Sequence, residues 1–170
     1  MEEKKRYTFT VLTEDSPGVM HRVVSIFTRG CYNIESLTVS ETEKKGISRF
    51  TMVSTVPSDK ISLLVNQIKK FIEVVDAAVH LDEELLFKEI AFIRVAFKNA
   101  KEKADIEQLA SQNHACVIIV NENSLVIEKT GTEDEINKMK SKFASESILS
   151  FVRSGRISID KHAGDQIVAA

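Results

Sequence analysis

The apolar residues of this chain run through one order of elements and then through it a second time, and that duplication limits the fold more than any single motif. Residues 7–12, Tyr-Thr-Phe-Thr-Val-Leu, alternate and are rich in aromatic and β-branched types, which predicts a strand. Val19, Val23, Ile26 and Phe27, with Met20 and Val24 beside them, then recur at helical spacing, and Gly30 closes that helix. A second strand is expected over 34–40, a polar hairpin loop over 41–46 and a third strand over 47–56. Pro57-Ser58-Asp59 opens a second helix with Ile61, Leu64, Val65, Ile68, Phe71 and Ile72 on its apolar face, and residues 74–81 give a fourth strand. After a connector at 82–87, a strand over 89–97 starts the order again. A shorter helix marked by Ile106, Leu109 and Ala110 follows, then a hairpin of 115–120 and 124–129 around Asn121-Glu122-Asn123. Thr132 with Glu135 three residues on forms a capping box for a helix carrying Ile136, Met139 and Phe143. A last strand covers 148–152.

Two copies of βαββαβ predict an α+β protein of two tandem ferredoxin-like domains, each an antiparallel sheet with both helices on one face. The expected division is 1–82 and 83–160, with a loose tail over 161–170. Sheet edges of this kind are often covered by a second chain, so a homodimer through the first domain is expected.

Composition narrows the function classes. Lys+Arg 23 against Asp+Glu 25 leaves no basic excess for nucleic acid. The apolar runs fall short of the ~20 residues that span a bilayer. The charged start Met1-Glu2-Glu3-Lys4-Lys5-Arg6 has no apolar stretch behind it, so a cytoplasmic protein without a secretory leader is expected. Cys31 and Cys116 are far apart and predict two reduced, mostly buried thiols. His21, His80, His114 and His162 show no metal-ligand spacing, and no nucleophile elbow, phosphate loop or dinucleotide fingerprint is present. These readings favour a binding module over a catalyst.

The stretch that points to a ligand runs from Thr13 to Leu37. Pro17 suits the first position of a helix, the Ser16 hydroxyl can cap it, and Gly18 lets a ligand approach the backbone. A helix start with free amides is a site for a carboxylate or phosphate.

Glu14-Asp15-Ser16-Pro17-Gly18-Val19-Met20, Arg22-Val23, Phe27-Thr28-Arg29-Gly30 and the specific run Tyr32-Asn33-Ile34-Glu35-Ser36-Leu37-Thr38-Val39 follow one another here. Together they resemble the N-terminal ACT domain of the small regulatory subunit family of acetolactate synthase. Ser48-Arg49-Phe50-Thr51, Phe87-Lys88-Glu89-Ile90, Gly131-Thr132 and Arg153-Ser154-Gly155-Arg156 are similar to later landmarks of that family. The resemblance implies a noncatalytic subunit that activates a separate catalytic subunit. Thiamine diphosphate, FAD and Mg are expected in that partner and no cofactor in this chain. It also implies feedback inhibition by valine or another branched-chain amino acid, held at the interface of two ACT domains. By position the effector would meet Asp15, Pro17, Gly18, Val19 and Met20 of one copy, and Asn33 and Ile34 of the other. The amides of Gly18 and Val19 would take its carboxylate, Asp15 or Asn33 its ammonium, and Val19, Met20 and Ile34 would form an apolar wall. Asp15 stands where the family often has Asn, and Cys31 where it usually has Gly. A free-standing ACT sensor or transcriptional regulator is the other binding reading. A small enzyme such as an acyl phosphatase lacks the phosphate loop and arginine it would need.

Overall fold

The computed structural model describes residues 4–162, whose contacts divide into two compact units, Lys88–Gly155 and the remainder on either side of it. The first unit contains β1 (Lys4–Glu14), α1 (Val19–Arg29), β2 (Ile34–Glu41), β3 (Ile47–Pro57), α2 (Ile61–Ile68) and β4 (Val74–His80). Its antiparallel sheet has the order β2-β3-β1-β4. Alternation along β1 decides which side chains enter the core: Phe9 lies opposite Met52, and Val11 opposite Phe50 and Ala77. These pack under Val23, Ile26 and Phe27 of α1 and under Leu64 and Ile68 of α2. The Phe9 and Phe27 rings meet edge to face, with centroids 5.0 Å apart. The neighbouring positions Thr8, Thr10 and Thr51 alternate onto the helix-free face. Ile72, expected on the core face of α2, is 92% exposed. The helix stops at Ile68, and tight turns through Phe71 (Phe71 N to Ile68 O, 3.2 Å; Val74 N to Phe71 O, 3.0 Å) carry Ile72 outward.

The second unit repeats the order along β5 (Leu85–Ala96), α3 (Ala100–Gln112), β6 (Cys116–Val120), β7 (Ser124–Gly131), α4 (Glu133–Lys140) and β8 (Ile148–Arg153). Its strands lie β6-β7-β5-β8, the same arrangement as in the first unit. Ile93 of β5 sits between Ile127 and Phe151, which centres a smaller core. The tandem ferredoxin-like architecture expected from the duplicated pattern is therefore the observed one. The helix read as the shorter one, α3, runs 13 residues, because its polar N-terminal half carries good helix formers and a cap the apolar pattern does not register. The Thr132 capping box forms as read: Glu135 N donates to Thr132 Oγ1 at 3.3 Å, and Thr132 N donates to Glu135 Oε2 at 2.7 Å.

The contacts part the chain between Phe87 and Lys88, whereas the sequence pattern put the division after residue 82. The opening of β5 stays with the first unit because Leu85 is buried and Phe87 lies under the Arg156 guanidinium. The chain also returns there at Arg156, and β9 (Ile157–Asp160) pairs with β5. Lys161 is tied down as well, its N–H donating to Glu84 O at 3.0 Å and its ammonium to Glu83 O at 2.8 Å. The tail expected to be loose lies, from residue 163 on, outside the described residues.

Candidate functional site

The turn leaving β1 is held by Asp15, whose N–H donates to Gly46 O in the β2–β3 loop at 2.8 Å. Gly18 has φ +85° and ψ −7°, and Val19 N closes on Ser16 O at 3.4 Å. That is a type II turn with Pro17 at its second position and glycine where the left-handed residue must sit. Helix α1 accordingly starts at Val19 and not at Pro17, with Gly18 as N-cap and no side-chain cap from Ser16. Proline's fixed φ serves the turn as well as it would have served a helix start, so the residue types alone did not separate the two. A Cβ built on Gly18 meets nothing within 4 Å. The helix start thus has no side-chain cap and its Val19 N–H is taken by Ser16 O, with exposed Asp15, Pro17 and Met20 beside it. Val19 differs from its neighbours: its side chain is 2% exposed and packs in the core, so it offers backbone and no apolar wall.

At the far end of α1 the chain turns through Gly30, Cys31 and Tyr32. Tyr32 N donates to Phe27 O at 2.9 Å and Cys31 N to Thr28 O at 3.0 Å, the bond pair of a Schellman motif. The left-handed residue is Cys31, at φ +56°, while Gly30 stays right-handed at φ −78°. Gly30 is needed for another reason: a Cβ there would lie 2.4 Å from Cε2 of Tyr32, whose ring covers it. Asn33 and Ile34 follow. The Asn33 carbonyl accepts from Ser54 Oγ at 2.7 Å, which fixes its backbone and leaves its side chain exposed. Asn33 and Gly18 are at opposite ends of an 11-residue helix, about 16 Å long at 1.5 Å per residue. One chain gathers Asp15, Pro17, Gly18 and Met20, but it does not bring Asn33 and Ile34 to them.

Arg22 pairs with Glu73 and lies 5.9 Å from the Phe71 ring centroid. Its hydrogen bond holds the Glu73 carboxyl below the usual carboxylate range. Both cysteines are exposed, contrary to expectation: Cys31 occupies a solvent-facing turn and Cys116 begins the edge strand β6. Among the described residues no group of three or more His, Cys, Asp or Glu side chains could hold a metal ion, and no helix is long and apolar enough to cross a membrane.

In the second unit the scattered sequence landmarks converge in space. Glu89 pairs in register with Gly131 and is bridged by Arg153 at 3.2 Å, and Arg153 also reaches Glu133 at 2.9 Å. Ser154 exchanges bonds with Ile90 (Ile90 N to Ser154 Oγ, 3.0 Å; Ser154 N to Ile90 O, 2.9 Å). Lys88 reaches Glu135 at 3.1 Å. A Cβ on Gly131 would lie 2.8 Å from Glu135 Oε2 and 3.0 Å from its Cβ, so the capping glutamate folds back over a bare backbone. These contacts give the landmarks a packing role.

The AHAS small subunit-like ACT domain family matches residues 9–76, and the small subunit of acetolactate synthase family matches residues 88–162. The acetolactate synthase small subunit of Mycolicibacterium smegmatis is 32% identical over 155 residues, covering 91% of each chain. A probable acetolactate synthase small subunit of Archaeoglobus fulgidus is 31% identical over 91% of this chain and 96% of its own. The crystal structure of the acetolactate synthase small subunit of Thermotoga maritima superposes with a TM-score of 0.85 at 26% identity, covering 94% of this chain and 99% of that one.

Proposed function

Because the chain belongs to the acetolactate synthase small-subunit family, we propose that it activates a separate catalytic subunit and makes it sensitive to a branched-chain amino acid. On this reading the chain is noncatalytic and cytoplasmic, and binds neither nucleic acid nor membrane. Thiamine diphosphate, FAD and Mg belong to the partner. Two copies pair through their ACT units, and valine, leucine or isoleucine binds between them.

The observation that carries the reading is the uncapped, exposed turn at Ser16-Pro17-Gly18, with Asn33 held outward at the other end of α1. The effector carboxylate takes amides at the helix start, where the dipole favours an anion. Its ammonium takes the Asp15 carboxylate or the Asn33 carboxamide, and its side chain rests on Met20 and Ile34. Edge strand β2 suggests how the halves meet. A twofold axis through paired β2 edges sets the two α1 helices antiparallel, with Gly18 of one copy toward Asn33 of the other. An effector favouring one dimer arrangement shifts the partner by a coupling of about 1–3 kcal/mol.

The test is co-purification with the catalytic subunit, followed by acetolactate assay with and without valine, leucine and isoleucine. The reading expects retention, higher activity with this chain present, and inhibition by at least one amino acid that requires this chain. Activity independent of this chain, or inhibition by none of the three, contradicts it.

A further inference from the structure

Arg156 is absent from the site just described, yet it is 1% exposed and among the largest fully buried side chains. Its Nη1 donates to Thr8 Oγ1 at 2.9 Å and to Asp82 Oδ1, and the guanidinium stacks 3.8 Å from the Phe87 ring centroid. Its backbone N–H donates to Ser36 Oγ at 3.2 Å, while Nε has no hydrogen-bond partner. Burying a charge with one donor unmet is costly, and an apolar residue of similar size would hold a returning chain without that cost. What arginine adds is connection. Its side chain ties β1 at Thr8 and the connector at Asp82 and Phe87 to the point of the chain whose backbone N–H meets β2 at Ser36.

Two further features place that point. Ser36 lies two residues after Ile34, and the β2–β3 register shifts between Ile34 and Ser36, so the ladder is irregular where the effector residues enter the strand. On the other side Arg156 directly follows Gly155, the last residue of the second unit, and β8 ends just before it at Arg153. The path from Asn33 and Ile34 to β8 that the contacts offer runs through Ser36 to the Arg156 N–H, which the buried guanidinium holds in place, and along the chain. We propose that Arg156 is a positioning residue through which effector occupancy at Asn33 and Ile34 is transmitted to the second unit. This rests on the effector reading above.

The test uses the full chain with its catalytic subunit, probed with valine, leucine and isoleucine. Arg156→Met removes the charge and side-chain bonds, Arg156→Lys restores the charge, and Ser36→Ala removes only the acceptor for the Arg156 N–H. The proposal expects Arg156→Met to keep the effector-induced rise in melting temperature and the basal activation, while the inhibitory coupling factor falls about fivefold or more. Arg156→Lys recovers part of the coupling, and Ser36→Ala repeats the loss if Arg156→Met does not fold. Wild-type inhibition in a folded Arg156→Met, even with a lowered melting temperature, overturns the proposal, because a merely structural anchor would behave that way. Joint loss of effector binding and inhibition overturns it too. A wild type that answers to none of the three amino acids defeats the effector reading and this proposal together, whereas a responsive wild type with an equally responsive Arg156→Met defeats this proposal alone.

Discussion

The two βαββαβ units share a strand order and treat the start of their first helix in opposite ways. In the first, α1 begins on Gly18 without a side-chain cap. In the second, Asn99 Oδ1 accepts from Glu102 N at 2.9 Å and Glu102 Oε2 accepts from Lys98 N at 2.8 Å, so the chain satisfies its own amides. The far ends of the same helices are alike. Cys31 and His114 both sit at positive φ, +56° and +52°, and Tyr32 N to Phe27 O matches Ala115 N to Ala110 O at 2.9 and 3.0 Å. An uncapped start is thus no property of the fold, since the other copy closes it. With glycine as the N-cap it forgoes only roughly a few tenths of a kcal/mol of capping, and it leaves the helix start without a side-chain partner where a carboxylate could sit. The helices differ in their buried faces as well. α1 buries Val19, Val23, Ile26 and Phe27, whereas α3 buries only Ala110. With less side chain over its sheet, the second unit has a cleft of about 620 Å³ beside Ile106, Leu109 and Phe143.

Substitutions can break this comparison at either end of the helices. The largest stability effect is expected at Gly30, where a Cβ would lie 2.4 Å from Cε2 of the Tyr32 ring. Gly30→Ala should cost about 1–3 kcal/mol in denaturant unfolding, as overpacking does; no loss would show that the ring is free to leave. Asn99→Ala should cost about 1 kcal/mol by removing the α3 cap, and should leave any response to branched-chain amino acids unchanged. A changed response would mean that the second helix start is not separate from effector binding. Cys31→Gly and His114→Gly each relieve a left-handed strain of about 1–2 kcal/mol, offset in part by the freer unfolded chain. Small rises in melting temperature at both sites would sharpen the equivalence of the helix ends, and opposite signs would break it.

The smallest effect concerns pH. The Glu135 carboxyl is held below the usual glutamate range, chiefly by the Thr132 N–H and then by Lys88. A folded-state pKa below the unfolded one adds stability above the ordinary glutamate value, about 4.3, which is lost as pH falls through the lower folded value. Glu135→Gln should therefore flatten the acid side of a melting-temperature profile and matter least at the lowest pH. An unchanged profile would remove Glu135 from the account of the second unit.

Much of the fold was legible because the apolar positions are periodic. Phe9 and Val11 alternate, Val19, Val23, Ile26 and Phe27 fall on one helical face, and Thr132 with Glu135 announces a helix start. The fine structure of the candidate site was less so. Ser16-Pro17 fits both a capped helix and a type II turn, and only the backbone angle at Gly18 separates them. Val19 belongs to the turn by position but to the core by helical phase. Gly30 looks like a conformational glycine and is a steric one, with Cys31 taking the strained position. Arg156 stood out only as the end of the Arg153-to-Arg156 landmark, and its buried tie gave no signal, because one cation after a strand has no period and its partners Thr8, Ser36 and Asp82 are far away in sequence.

The central claim is that the open turn at Gly18 binds an amino-acid carboxylate while the closed turn at Asn99 binds nothing. It is tested most directly by thermal unfolding of the wild type and of Gly18→Asp with millimolar valine, leucine and isoleucine, since a ligand that binds only the folded state raises its melting temperature. The added Cβ meets open space, at the cost of a left-handed backbone for a non-glycine residue, and a carboxylate is set beside the helix-start amides. The account predicts a rise for the wild type with at least one of the three and none for a folded Gly18→Asp. No rise in the wild type, or an equal rise in both, contradicts it.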